Sequence, residues 1–204
     1  MVHIVDYKTG NLGSIQNMLK KIGEKSIISS DIDELKAAEK IILPGVGAFG
    51  KGIKSLKELN LWDTLNNKVL VDKTPVLGIC LGAQLMTKGS EESDETGLGW
   101  VDANTYRFKI DKESKHKVPH MGWNRVEPMK ASKLFEGMYE DARFYFVHSY
   151  HMTFNNLDQA LFKTNYAYDF HSGFEKDNIL GVQFHPEKSH KFGMKLLKNF
   201  VENY

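Results

Sequence analysis

The sequence predicts an α/β fold, with a central, mostly parallel sheet covered by helices on both faces and an antiparallel portion added in the second half. Two observations carry that expectation. Short, continuous apolar runs alternate with helical patterns through the first half, and strands buried on both faces read as unbroken apolar runs rather than as alternation. After about residue 100, strand patterns follow one another with turn residues between them, as antiparallel neighbours do. No internal repeat, low-complexity tract or Pro/Ser-rich linker interrupts the 204 residues, so one domain spanning 1–204 is expected.

Taken in order, Val2–Val5 is a strand, followed by a glycine-containing loop and a helix from about Asn11 to Ile22. Ser26–Ile28 and Lys40–Leu43 are the next strands, the latter ended by Pro44 and the run Gly45-Val46-Gly47. Helical patterns cover Lys51–Leu59 and Trp62–Val71. Pro75–Ile79 is a strand that runs directly into Cys80 and a helix from about Leu81 to Lys88. Val101–Lys109, Arg143–Val147, Ala160–Thr164, Ser172–Glu175 and Ile179–Phe184 are strands, the last two joined by a hairpin turn at Lys176-Asp177-Asn178. A closing helix from about Ser189 to Glu202 places Phe192, Leu196, Leu197 and Phe200 on one face.

Composition excludes several classes of function. Lys and Arg total 27 against 26 Asp and Glu, so no global field draws the chain to nucleic acid or to a membrane surface. One cysteine forms no internal disulfide, and the first residues carry no charged leader followed by a long apolar run. No window approaches the ~20 apolar residues of a membrane span. The expected location is the cytoplasm.

The chemistry starts at Gly78-Ile79-Cys80-Leu81-Gly82, a G-x-nucleophile-x-G elbow between a strand and a helix, with cysteine as the nucleophile. The glycines let strand and helix cross closely while Cys80 is held in an unfavourable backbone conformation. A sulfur at a helix N-terminus faces unpaired N–H groups, which favours thiolate, and the Leu81 N–H is placed to stabilise an oxyanion. The alternative for a free cysteine is simple burial in the core.

Eight histidines compete to be its base. His116 and His190 sit among charges, and His3 lies within a buried strand. His185 ends the apolar strand Leu180–Phe184, and Glu187 follows across Pro186. A spacing of two puts both side chains on one side of an extended backbone, where a carboxylate would fix the imidazole tautomer. His148 and His151 are rivals that could line the pocket or bind a metal. No further Cys and no compact ligand spacing supports a metal, so neither metal nor cofactor is expected.

The elbow, together with Gly181-Val182-Gln183-Phe184-His185-Pro186-Glu187, resembles the paired motifs of class I glutamine amidotransferases, which implies a flavodoxin-like sheet. Within that class the chain most resembles the glutaminase subunits of imidazole glycerol phosphate synthases, over essentially its whole length. Pro44-Gly45-Val46-Gly47-Ala48-Phe49-Gly50 is similar to their oxyanion strand, and Val118-Pro119-His120-Met121-Gly122-Trp123-Asn124 to their partner-facing segment. The resemblance implies a catalytic triad of Cys80, His185 and Glu187, with oxyanion donors from Val46 and Leu81. It implies L-glutamine held by Gly47, Gln84, Glu92, Ser149 and Tyr150. It also implies a (β/α)8-barrel synthase partner, met through Asn11, Met121, Trp123 and Asn124, that consumes the ammonia in histidine biosynthesis.

One stretch departs from the pattern. Lys8-Thr9, within Asp6–Asn11, stands where those subunits commonly have glycine and another small residue. Related glutaminase subunits feed synthases that modify sugars for surface polysaccharides, and that branch stays open. A thiol hydrolase on a similar sheet and a non-catalytic regulatory subunit are the remaining alternatives.

Overall fold

The structure, a computed structural model, describes residues 1–204. Its first half runs β1 (Val2–Val5), α1 (Leu12–Lys21), β2 (Ser26–Ser29), α2 (Ile32–Lys36), β3 (Lys40–Leu43), α3 (Phe49–Glu58), α4 (Leu61–Asn66), β4 (Val76–Ile79) and α5 (Leu81–Leu85). Strands then dominate: β5 (Gly89–Ser90), β6 (Ser93–Thr96), β7 (Ala103–Arg107), β8 (His120–Arg125), β9 (Glu127–Pro128), β10 (Arg143–His148), β11 (Tyr150–Phe154), β12 (Ala160–Tyr166), β13 (Tyr168–Lys176) and β14 (Ile179–Val182). The chain closes with α6 (His190–Asn203).

The parallel half of the sheet has the order β2-β1-β3-β4-β14, which inserts the last strand beside β4. From β14 the sheet continues antiparallel through β13, β11 and β7, with β12 also on β13. β8 and β10 form a separate antiparallel ribbon. Strand side chains alternate between two apolar cores, as the period of two requires. Ile41, Leu43 and Val76 meet Ile53, Leu56 and Leu85 of α3 and α5 on one side. Ile42, Leu77 and Leu180 meet Ile15 and Leu19 of α1 and Leu196, Leu197 and Phe200 of α6 on the other. Each such fully buried side chain is worth ~1.5–3 kcal/mol relative to exposure.

Several elements depart from the sequence expectation. The helix after Cys80 stops at Leu85, because the carbonyls of Leu85, Met86 and Thr87 turn to accept Leu98, Trp100 and Gly99 N–H groups. The pattern over Trp62–Val71 divides into α4 and a π-helical turn at Asn67–Val71. The expected strand Val101–Lys109 is confined to Ala103–Arg107, and Ile179–Phe184 ends at Val182. α2 was not anticipated. It is short and polar, and it is held by Asp31, whose side chain accepts the Asp33 and Glu34 N–H groups at 2.9 Å. The Asp177-Asn178 turn does join β13 to β14 as a hairpin, with Lys176 opposite Ile179.

Candidate active site

β4 and β14 are parallel neighbours, with Ile79 opposite Val182, so their C-terminal ends lie side by side. Cys80 follows the first and His185 lies three residues beyond the second, with the Cys80 N–H donating to the Val182 carbonyl at 2.8 Å. Residues 105 positions apart thus arrive at one sheet edge, where parallel sheets gather ligands. Cys80 has φ +52° and ψ −111°, a strained geometry for a residue with a Cβ. Both elbow glycines are required by space. A Cβ on Gly78 would lie 2.7 Å from the Ala83 Cα, and one on Gly82 would strike the Leu43 carbonyl oxygen.

His185 is fixed from several directions. Its N–H donates to the Tyr145 carbonyl at 2.9 Å, and its own carbonyl accepts the Ser189 hydroxyl at 2.6 Å. Nδ1 donates to Glu187 Oε1 at 2.7 Å, and both side chains are buried. The connection is not the extended backbone expected from the spacing. Pro186–Lys188 is a 3₁₀ turn with proline at its first position, a place that requires no N–H, and the turn folds Glu187 back under the ring. Nε2 has no hydrogen-bond partner and lies beside Cys80. Burial pulls the imidazole pKa down, but the adjacent Cys80 sulfur and then Glu187 outweigh it and raise it to about 10. With its pKa raised that far, the His185 ring stays protonated at neutral pH beside the Cys80 sulfur.

Cys80 opens into a cavity of about 330 Å³ lined by Val46, Gly47, Leu81, Gln84, Glu92, Pro119, Val147, His148, Ser149 and Tyr150. All five residues expected to hold substrate are among them. Gln84 is buried, donating to the Tyr150 carbonyl at 3.2 Å and Gln183 Oε1 at 3.0 Å. Glu92, one of several acidic residues in its loop, accepts the Phe49 N–H at 2.8 Å at the start of α3. A larger open depression of about 590 Å³ lies along Pro128–Glu136, but no cysteine or histidine lines it.

Of the two oxyanion candidates, Val46 is 42% exposed at the cavity. The Leu81 N–H is already engaged, donating to the Gly45 carbonyl at 3.3 Å. Met121 and Trp123 on β8 are 60% and 45% exposed, and Trp123 stacks on His190 at 5.4 Å, so it is not a core residue. Asn11 is exposed at the start of α1, and Asn124 is half-buried. His148 lines the cavity while its two ring nitrogens bond the Tyr150 carbonyl and His120. Gln183 was not singled out, yet its Nε2 lies 3.7 Å from the Cys80 sulfur. The signal was present, as a glutamine inside the apolar run that leads to His185.

Residues 3–204 match the family model for glutamine amidotransferase class-I. The chain belongs to the class I glutamine amidotransferase family. It is 52% identical over 202 residues to the imidazole glycerol phosphate synthase subunit HisH 2 of Methanococcus maripaludis, covering 99% of both chains. Against the subunit HisH 1 of the same organism it is 42% identical over 205 residues, again covering 99% of each. Among solved structures, a glutamine amidotransferase from Thermotoga maritima superposes with a TM-score of 0.65 at 20% identity, over all of this chain and 81% of that one. At that identity the superposition establishes the fold alone, and the family membership rests on the sequence matches.

Proposed function

We propose that this amidotransferase is the glutaminase subunit of an imidazole glycerol phosphate synthase, hydrolysing L-glutamine and passing ammonia to a synthase partner in histidine biosynthesis. The observation that carries the chemistry is the Cys80 sulfur on its elbow, open to a cavity and backed by the buried His185–Glu187 pair at 2.7 Å. The relatives' names support the pathway. The 204 residues act as one domain. No helix is long and apolar enough to cross a membrane.

In this reading the Cys80 thiolate adds to the side-chain amide carbon of glutamine. The Val46 and Leu81 N–H groups take the charge that develops on oxygen. His185 gives its Nε2 proton to the departing nitrogen, and ammonia leaves. The neutral imidazole then takes a proton from water, whose oxygen attacks the thioester to release glutamate and restore the thiolate. Glu187 holds Nδ1–H throughout, which keeps the ring in the correct tautomer. Ammonia freed into neutral water becomes ammonium, which has no lone pair, so a sheltered route into a (β/α)8-barrel partner is part of the proposal. Exposed Met121 and Trp123 suit an interface anchor.

The Gly45 carbonyl on the Leu81 N–H bears on regulation. While that bond persists, one oxyanion donor is occupied, so the segment Gly45–Gly47 must shift before turnover, and partner binding supplies the shift. A second reading has one observation in its favour. The chain is more similar to HisH 2 than to HisH 1 of an organism that has both, and a duplicated subunit is free to serve another synthase, such as one that aminates surface-polysaccharide sugars. The deciding experiment assays the chain with its co-purifying synthase. Cys80→Ala abolishes glutamine-dependent product while turnover on added ammonium salt continues. Glutamine-driven turnover in that variant removes the proposal, and the acceptor consumed on ammonium identifies the pathway.

A further inference from the structure

A row of polar side chains leads inward from β8 to the cavity, and one amide sets its direction. Asn124 Oδ1 accepts the Arg125 N–H at 2.8 Å, so its Nδ2 is the atom that faces the Asn165 carbonyl at 2.8 Å and His120 Nε2 at 3.2 Å. His120 Nε2 therefore accepts, and the ring proton sits on Nδ1, which donates to His148 Nε2 at 2.9 Å. By the same step His148 carries its proton on Nδ1, donated to the Tyr150 carbonyl at 2.7 Å. That carbonyl also accepts Gln84, which donates to Gln183, which reaches the Cys80 sulfur.

The rings have little freedom to choose another arrangement. His120 is stacked between Phe146 at 4.7 Å and Tyr166 at 4.0 Å, and His148 packs against Phe108 and Phe170. Both imidazoles are buried, so neither is stable as a cation, and desolvation lowers the pKa of each. A neutral ring with one N–H has only two tautomers; Asn124 selects that of His120 and the Tyr150 carbonyl the matching one of His148.

We propose that His120, oriented by Asn124, is a positioning residue for glutamine binding: by donating to His148 Nε2 it keeps that ring on the Tyr150 carbonyl and holds the Ser149–Tyr150 wall of the cavity, and it ties that wall to β8. The proposal rests on the glutaminase reading, because the wall it positions is the one read as holding glutamine. It also gives β8 a route to the sulfur made of directional bonds rather than packing alone.

Two variants separate a donor from a space-filler. His120→Leu fills the slot between Phe146 and Tyr166 but donates nothing. His120→Asn is smaller but presents an amide N–H close to where Nδ1 was. With the synthase bound, His120→Leu raises the glutamine KM about tenfold, the size expected when a buried acceptor loses its donor, and leaves kcat within about threefold. His120→Asn stays near wild type. Nitrogen chemical shifts of the wild-type histidines place the proton on Nδ1 of both rings. The proposal is overturned if folded His120→Leu keeps the wild-type KM, if His120→Asn is the worse of the two, or if His148 carries its proton on Nε2. A wild-type complex that turns over no glutamine sinks the glutaminase reading instead, while the nitrogen shifts still judge the tautomer chain.

Discussion

At the scale of single residues, the site depends on one charged pair that is expensive to bury alone. His185 is held as an imidazolium by the sulfur on one side and Glu187 on the other, with its pKa at about 10 against an ordinary 6.5. A folded value above the unfolded one means that the stability from this contact is full below about pH 6.5 and is lost as pH rises through about 10. The melting temperature should therefore fall between pH 7 and 10, and less steeply in Cys80→Ser, which lacks the sulfur that raises the imidazole pKa. An identical slope in the two proteins would disprove the sulfur's part in holding the ring protonated. His185→Ala removes the acid and base together and should lower glutamine turnover at least ~10²-fold, measured as glutamate release. That these three side chains meet was legible because each lies in a short motif. The hydrogen bonds around them were not. Gln183, His120 and Asn124 act through partners 28 to 103 positions away or on other strands, and no local spacing encodes a tautomer.

At the scale of elements, the elbow shows how one small residue outweighs propensity. Gly82 is in the first turn of α5, where alanine would ordinarily favour a helix by up to ~1 kcal/mol. Here the added Cβ would strike the Leu43 carbonyl oxygen at the end of β3, a backbone atom that has nowhere to retreat. Gly82→Ala should thus destabilise the protein, by ~2 kcal/mol or more as an overpacking strain, and displace Cys80 from the cavity. Denaturant unfolding and the alkylation rate of Cys80 check the two effects separately. The buried strands β1, β3, β4 and β14 were legible as apolar runs. β6 and β8 were not, since Ser93-Asp94-Glu95-Thr96 and His120–Arg125 are largely polar or half-exposed and owe their extension to neighbouring strands. The 3₁₀ turn at Pro186 was misjudged as extended because proline suits both states, and the anchoring of Ser189 to Tyr145 and His185 that selects the turn is a tertiary contact.

At the scale of the whole molecule, sheet order brings two distant motifs together, and the same fold leaves exposed the face proposed to meet a partner. β8 offers Met121 and Trp123 to solvent on a ribbon whose other strand, β10, ends at His148 beside the cavity. A surface indole stacked flat on His190 is already ordered, so docking against it loses little side-chain freedom. Trp123→Ala should weaken synthase binding by about 2 kcal/mol or more, roughly a thirtyfold rise in Kd, as for a central aromatic anchor. Because the side chain is 45% exposed, the isolated variant should melt close to wild type. The link to catalysis can be read from the same preparation. With the Leu81 N–H held by Gly45, the chain without its partner should release glutamate slowly, and saturating synthase should restore the rate in Trp123→Ala as in the parent. Full glutaminase activity from the isolated chain would mean that the Gly45 bond opens unaided and that the partner is no part of the switch.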